Sequence, residues 1–171
     1  MMAALSPKCR IIGVLHSPSV MERTAYGRPL MSAGDFYFAI NATFRFIHNT
    51  YGKDALVDYW TSMAREYHAD VADRFRSGGL EEVRRYWADY FAHEPGGDVS
   101  ISLTEQGVEL DVRDCPAIRW LRDGGREIVP YYCEHCHTVS TAIAEQAGMS
   151  FALEGGGGAC HQVFGSNGGA A

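Results

Sequence analysis

Residues 98–116 read DVSISLTEQGVELDVRDCP, and the spacing of hydrophobic residues in this stretch decides the fold class. Hydrophobic side chains occupy every second position from 99 to 103, and again from 108 to 112, on either side of the turn TEQG. A period of two is typical of β-strands that bury one face. The stretch therefore predicts a β-hairpin with one hydrophobic face.

Upstream of the hairpin, the hydrophobic period is that of α-helices. A first helical pattern begins at Asp35 and ends at Gly52. In a second pattern, hydrophobic residues recur every three or four positions from Leu56 to Phe75, until Gly78–Gly79 stops the helix. A third helix follows from Leu80 to the turn at 95–97. The aromatic residues at helical spacing are expected in the core: Trp60, Tyr67, Trp87 and Tyr90.

Downstream of the hairpin, the pattern predicts two more helices and two more strands. Cys115–Pro116 begins a short helix with proline at its first position, and a longer helix runs from about Tyr131 to Ala147. Short strands near Ser150–Leu153 and Ala159–Phe164 flank a glycine loop, Gly155–Gly158. The fold class predicted is α+β, with N-terminal helices packed on a small antiparallel β-sheet and a further helix between the two strand pairs.

The length of 171 residues predicts one domain that can bury a core of its own. Residues 1–34 form an irregular N-terminal segment broken by prolines, with a short strand at Ile11–Leu15, and residues 165–171 form a flexible tail.

Composition narrows the classes of partner. The net charge is −6 and no basic stripe occurs, which argues against binding to nucleic acid. Hydrophobic stretches are only a few residues long, so we expect no membrane partner, and the first residues lack the pattern of a secretory signal. We therefore expect a cytoplasmic protein that binds a small-molecule substrate and that forms, as one open possibility, a homo-oligomer.

Four of the five cysteines fall within 46 positions near the C-terminal end, and three histidines lie among them. Cys133, Cys136 and His137 stand at i, i+3 and i+4 in the first turn of a predicted helix, on one face. A helix N-terminus favours a thiolate, and His137 can take the proton of a thiol one turn away. The spacing predicts catalytic thiols here, with a small buried Cys136 as the structural alternative.

The glycine loop leads into Cys160 and His161. Neighbours on a strand point to opposite faces, so only one of the two enters a given site, and we favour Cys160. We predict Cys160 as a catalytic thiol. The predicted substrate-binding residues are Cys115, Gly156, Gly157, Gly158 and His161. The glycine backbone can hold developing negative charge, or the loop is simply a flexible turn. Cys115 is equally well explained as a buried core thiol.

Four chemistries remain open for these residues. The first is a thiolate nucleophile. The second is zinc, with Cys115, Cys133, Cys136 and either Cys160 or His137 as ligands, although zinc sites usually bring a second close pair of ligands. The third is covalent haem at the C-x-x-C-H pattern of residues 133–137, and the fourth is thiol–disulfide exchange by the same pair. Reduced thiols beside histidines suggest catalysis or metal binding, and of the four chemistries we favour thiol catalysis without a cofactor, with zinc as the alternative.

The segments CPAIRWLRDGG, CEHC and EGGGGACHQVF together resemble the L-2-amino-thiazoline-4-carboxylic acid hydrolase family. That family's pattern is Cys-Pro, then Cys-x-x-Asp opening a helix, then Gly-Gly-x-x-Cys ending near a Phe. The resemblance covers about the last 60 residues. The same ending is similar to that of vinyl-reductase-like small-molecule-binding domains, which have helices followed by a sheet. A fainter likeness is to organomercurial lyases, which cleave carbon–metal bonds.

The resemblance implies a cysteine-dependent hydrolase, or ring-opening enzyme, that acts on carbon–nitrogen or carbon–sulfur bonds of a small compound. Cys133 matches the family's helix cysteine and Cys160 its strand cysteine, so either is the expected nucleophile, with His137 as base. Cys115 matches the Cys-Pro position. Cys136 stands where the family has an acidic residue.

The rival interpretation is a non-catalytic domain that binds zinc or senses a small molecule. Three arginines are candidates to bind a substrate carboxylate: Arg23, Arg45 and Arg119.

Overall fold

The structure is a computed structural model that describes residues 33–94 and 96–166. The α-helices in this part of the chain are α1 (Ala33–Tyr51), α2 (Lys53–Ser62), α3 (Ala69–His93), α4 (Pro116–Asp123) and α5 (Glu134–Ala147). A π-helical segment, Met63–Tyr67, connects α2 to α3. The strands are β1 (Asp98–Leu103), β2 (Val108–Asp114), β3 (Met149–Gly156) and β4 (Ala159–Ser166).

The four strands form one antiparallel sheet in the order β1-β2-β4-β3. The hairpin predicted from the alternating pattern is confirmed, since Ile101 pairs with Leu110 and Leu103 with Val108. The second hairpin inserts β4 between β2 and β3. Cys160 of β4 consequently lies between Val112 of β2 and Gly155 of β3.

The inner face of the sheet packs against α3 and α5, and this layer contains the core. Phe164 is fully buried there, with its ring centroid 5.9 Å from that of Phe75 in α3 and 4.7 Å from that of Phe151 in β3. On the other side of α5, Trp60 of α2 and Phe44 of α1 are also buried, in edge-to-face contact at 5.2 Å. The predicted α+β class, helices packed on a small antiparallel sheet, is confirmed.

The helices between residues 53 and 93 differ from the expected pattern at a π-helical segment. The π-helical segment adds a residue to the turn, which rotates the following side chains, so Tyr67 is 81% exposed rather than in the core. Tyr90 is also largely exposed, whereas Trp60 is buried as expected. At Gly79, a positive φ of 63° and a non-helical ψ of −158° produce a kink inside the range of α3, so the predicted break between two helices at Gly78–Gly79 is confirmed.

Smaller differences concern element boundaries. Helix α5 begins at Glu134 instead of Tyr131, and β4 extends to Ser166, which places the first two residues of the predicted flexible tail in the sheet. The irregular segment was predicted to run to residue 34, but Ala33 and Gly34 already belong to α1. The rest of that segment, with its predicted short strand, and positions 167–171 lie outside the described residues. Within the described residues, no helix combines the length and the hydrophobicity needed to cross a membrane.

Candidate functional site

The four cysteines of the C-terminal region lie at the ends of three elements. Cys115 is the N-cap residue of α4, and Pro116 occupies the first helical position as predicted. Cys133 is the N-cap residue of α5, and Cys136 lies in its first turn. Cys160 is the second residue of β4. All four are free thiols and half-buried.

The β3–β4 turn brings these cysteines together. The backbone N–H of Cys115 donates to the carbonyl of Gly158 at 2.8 Å. A β-carbon built on Gly156 would lie 4.0 Å from the Cβ of Cys133. Cys115 and Cys160 each interact electrostatically with both Cys133 and Cys136. We call Cys115, Cys133, Cys136 and Cys160 the thiol cluster.

The turn itself requires glycine. Gly157 and Gly158, the two residues between β3 and β4, both have positive φ, at 64° and 107°. Gly155 has a φ of 103°, and a β-carbon there would lie 2.6 Å from the carbonyl oxygen of Ala159, which is a clash. The sequence Gly155–Gly158 therefore folds into a tight hairpin turn that other residues would not form without strain.

Burial and nearby hydrogen-bond donors shift the pKa of the thiols in opposite directions. Burial raises the pKa of Cys115 to about 11, although the backbone N–H groups of Ile118 and Ala117 at the start of α4 lower it. Burial also raises the pKa of Cys136 to about 11. The pKa of Cys160 is raised by burial as well, and the amide of Gln162, which donates to its sulfur at 3.3 Å, opposes that rise.

His135, for which the sequence pattern predicts no role, contacts the thiol cluster through Cys136. Its Nδ1 lies 2.5 Å from the carbonyl oxygen of Tyr132, so Nδ1 is the donor and Nε2 carries the lone pair of the neutral ring. The Cys136 sulfur is 3.7 Å from Nε2 and 3.9 Å from Nδ1, so it lies beside the ring edge between them. Burial lowers the pKa of His135, which favours the neutral imidazole, and its hydrogen bond with the Tyr132 carbonyl opposes that shift.

The other two histidines of the region are placed differently. His137 lies on the exposed side of α5, one turn after Cys133, with its ring centroid 6.3 Å from that of Phe151. His161 points to the outer face of the sheet, where its Nδ1 is 3.9 Å from Asp111. Because strand side chains alternate, His161 and Cys160 lie on opposite faces, and the structure does not bring His161 to the thiol cluster.

A small cavity of about 170 Å³ lies beside His135. Its walls are mostly hydrophobic side chains of α1 and α2, including Phe36, Ile40, Phe44 and Tyr59. The imidazole of His135 therefore forms part of a hydrophobic wall on one side and contacts a cluster thiol on the other.

Two of the candidate arginines are engaged with protein groups. Arg45 donates to the carbonyl of Glu127 at 2.6 Å, and Arg119 donates to the carbonyl of Gly96 at 2.7 Å. Arg23 lies outside the described residues. Among residues 33–94 and 96–166, no three Cys, His, Asp or Glu side chains are arranged to hold a metal ion.

No protein-family model matches the chain, and neither a curated protein nor a solved structure is detectably similar to it. The site must therefore be interpreted from its own residues.

Proposed function

We propose that this protein is a cysteine-dependent hydrolase, or ring-opening enzyme, for a small carbon–nitrogen or carbon–sulfur compound of the aminothiazoline carboxylate type. The observation that carries the proposal is the thiol cluster, in which two helix N-termini and a tight glycine turn meet around four free thiols. Helix N-termini favour anions, and backbone N–H groups of a turn can approach a reacting group closely.

Cys133 is our choice of nucleophile. It is the N-cap residue of α5, and it borders the glycine turn at Gly156. Burial, by contrast, disfavours the thiolate form of Cys115 and Cys136. His137, four residues further along α5 and exposed, is the base that takes the thiol proton and returns it to the leaving group.

The reaction proceeds in two displacements. The Cys133 thiolate attacks the ring carbon between nitrogen and sulfur, a carbon–sulfur bond to the enzyme forms, and the ring carbon–sulfur bond breaks. The ring sulfur leaves as a thiolate and takes a proton from His137. Water, deprotonated by His137, then attacks the same carbon and displaces the Cys133 thiolate. The product is a carbamoyl amine with a free thiol, and one water is consumed.

The free thiols also bear on the cellular compartment in which such an enzyme would act. Four free thiols are typical of a reducing compartment, so we propose a cytoplasmic protein with a small molecule as its partner.

The test is an assay of thiol release from 2-amino-2-thiazoline-4-carboxylate and related sulfur-containing rings, and of amine release from cyclic amidines. We expect turnover by the wild type, a loss of at least about 100-fold in Cys133→Ala and in His137→Asn, and no change in the controls Cys9→Ala and His93→Asn. Cys9 lies outside the described residues, and His93 is the exposed last residue of α3. Full activity in Cys133→Ala would show that Cys133 is not the nucleophile. If the wild type turns over none of these compounds, the proposed substrate class is wrong.

The four cysteines also keep open the rival function predicted from the sequence, a non-catalytic zinc-binding domain, although no three Cys, His, Asp or Glu side chains among the described residues are arranged to hold a metal ion. Metal analysis of the purified protein separates the two. About one zinc per chain, lost together with the fold on chelation, supports the zinc domain, because structural zinc contributes directly to folding. A thiol enzyme keeps its activity with a chelator and loses it with iodoacetamide.

A further inference from the structure

The proposed hydrolase leaves two neighbouring side chains at the start of α5 without a role, Cys136 and His135. Cys136 is a free, half-buried thiol in the first turn of the helix. Its sulfur lies 3.7 Å from Nε2 of His135 and 3.9 Å from Nδ1. A neutral imidazole in contact with a thiol can take its proton. Cys136 therefore has a base beside it and can act as a second nucleophile.

The backbone of α5 holds Cys136 at disulfide distance from Cys133. Cys133 is the N-cap residue, and its φ of −74° and ψ of −16° are already helical. Residues three apart in a helix lie on one face, with Cα atoms about 5 Å apart. A disulfide requires a Cα–Cα distance of roughly 4.4–6.8 Å. The two sulfurs can therefore bond after side-chain rotation and a small adjustment of one helical turn, whereas Cys115 and Cys160 lie on other elements.

Three hydrogen bonds hold the His135 ring in place beside Cys136. Nδ1 donates to the carbonyl of Tyr132 at 2.5 Å, so Nε2 carries the lone pair. The backbone N–H of Tyr132 donates to the carbonyl of Val129 at 3.0 Å. The backbone N–H of Val129 in turn donates to the buried side chain of Asn41 in α1, also at 3.0 Å. The base is thus connected through the loop before α5 to a fixed point on another helix.

We propose that a small disulfide of the glutathione type oxidises Cys133 and Cys136 to a reversible disulfide, with His135 as the base that activates Cys136. Cys133 releases its proton, attacks one sulfur of the small disulfide and forms a mixed disulfide, while one small thiolate leaves and takes up that proton. His135 then takes the proton of Cys136, whose sulfur attacks that of Cys133. The second small thiolate leaves and receives the proton from His135. Two protein thiols are thereby oxidised to a disulfide, and one small disulfide is reduced to two thiols.

Closure of this disulfide consumes the Cys133 thiol that the proposed hydrolase uses as its nucleophile. The regulation rests on the proposed function: oxidation switches the enzyme off, and a reducing thiol restores it. Cys133 is half-buried, and its neighbours on α5, Glu134 and His137, are exposed. A small disulfide in solution can therefore reach the Cys133 sulfur.

Peptide mapping of the wild type tests the disulfide without any turnover. A protease that cleaves after glutamate separates the four cysteines of the cluster, because a glutamate stands between each two of them along the chain. The protein is incubated with glutathione disulfide, its remaining thiols are blocked with N-ethylmaleimide, and it is denatured and digested. We expect the peptide of Cys133 to be linked to that of Cys136 and to be released by dithiothreitol. A lasting glutathione adduct on Cys133, a link from Cys133 to Cys115 or Cys160, or no reaction at Cys133 would overturn the proposal.

A pair of serine variants tests Cys136 as the second nucleophile. In Cys136→Ser the reaction should stop at the mixed disulfide, so that Cys133 keeps its glutathione. Cys160→Ser, which removes another half-buried thiol, is the matched control and should form the same link as the wild type. Loss of glutathione from Cys133 in Cys136→Ser, at the rate of the wild type, would contradict the assignment.

The role of His135 is tested by the rate at which the mixed disulfide closes. In His135→Asn the new side chain can still donate to the Tyr132 carbonyl but offers no base, so closure should slow at least about tenfold. The exposed control His93→Asn should close at the rate of the wild type. Equal closure rates in His135→Asn and the wild type would show that His135 is not the base.

The wild-type mapping does not depend on the folding of any variant, and its outcome is separate from that of the hydrolase assay. Disulfide formation in a protein that hydrolyses none of the proposed substrates would refute the hydrolase and keep the disulfide. Hydrolysis in a protein that forms no such disulfide would refute this proposal alone. Hydrolysis that persists after closure would refute the regulation.

Discussion

Burial and backbone N–H groups act in opposite directions on the pKa of Cys115 and on that of Cys136, and burial dominates at both. At Cys115, two backbone N–H groups of α4 lower the pKa, yet the pKa still rises to about 11. A helix N-terminus is worth up to about 1 kcal/mol at an exposed position, and loss of water around an anion costs more. A cysteine at a helix N-terminus is therefore not a thiolate for that reason alone.

This balance predicts how stability depends on pH. The pKa of Cys136 rises from an ordinary value of 9.0 to about 11 on folding, so the unfolded chain loses its proton first. Stability from this group is fully present below about pH 9 and is lost between about pH 9 and 11. We expect the free energy of unfolding of the wild type to fall over that range by about 1–3 kcal/mol more than that of Cys136→Ala. Urea unfolding at a series of pH values measures the difference, and parallel curves would show that Cys136 keeps its ordinary pKa.

His135 shows what sequence reasoning at this scale could not find. The spacing of Cys133, Cys136 and His137 on one helix predicted a thiol and imidazole site, and that spacing needs only local structure. The position of the His135 ring depends on packing against two other helices, since its centroid is 5.2 Å from that of Phe44 in α1 and 6.3 Å from that of Trp60 in α2. No local pattern contains that information.

Among the elements, the β3–β4 hairpin has the largest effect on the site, because its turn contacts both Cys115 and Cys133. Its glycines are not equivalent. A β-carbon on Gly157 meets open space, whereas one on Gly155 clashes with backbone.

Alanine at these two glycines should therefore give different results. Gly157→Ala puts alanine in a left-handed conformation, which costs about 1–2 kcal/mol, and should leave the thiols in place. Gly155→Ala forces the backbone to move next to Cys160 and should cost more than about 3 kcal/mol. It should also change the alkylation rate of Cys160 several-fold. Urea unfolding and iodoacetamide alkylation measure both effects, and equal behaviour of the two variants would mean that the turn does not position the thiols.

The helices and strands were predictable to different degrees. The alternation of hydrophobic and polar residues around the TEQG turn predicted the β1–β2 hairpin, and Pro116 predicted the start of α4. The π-helical segment at Met63–Tyr67 carries no comparable signal, because its sequence continues a helical pattern. The resulting rotation explains why Tyr67 is exposed against expectation.

In the molecule as a whole, the core under the sheet holds together the elements whose ends carry the thiols, which are α4, α5 and β4. Phe164 is its fully buried centre, in contact with Phe75, Phe151 and Trp87. The fold class could be predicted from the periodicity of hydrophobic residues. The strand order, in which β4 inserts between β2 and β3, determines which ends of the elements meet, and it could not be predicted in this way. That order brings Cys160 next to the strand that ends just before Cys115.

We expect Phe164→Ala to lower the free energy of unfolding by about 3–5 kcal/mol, because it leaves a cavity among aromatic rings. Leu103→Ala, at a position that is 48% exposed at the end of β1, should cost about 1 kcal/mol or less. Guanidinium unfolding of both variants provides the comparison. A similar small loss in each would show that the sheet does not pack on α3 as described.

The most direct test of the account is to trap the covalent intermediate. The protein is mixed with 2-amino-2-thiazoline-4-carboxylate, quenched in acid and mapped by peptide mass spectrometry. Because the ring sulfur stays attached to the rest of the substrate when the ring opens, the account predicts an adduct on Cys133 with the mass of one whole substrate molecule, absent from Cys133→Ala. Product formation without an adduct on Cys133, or at an undiminished rate in Cys133→Ala, would contradict a Cys133 nucleophile.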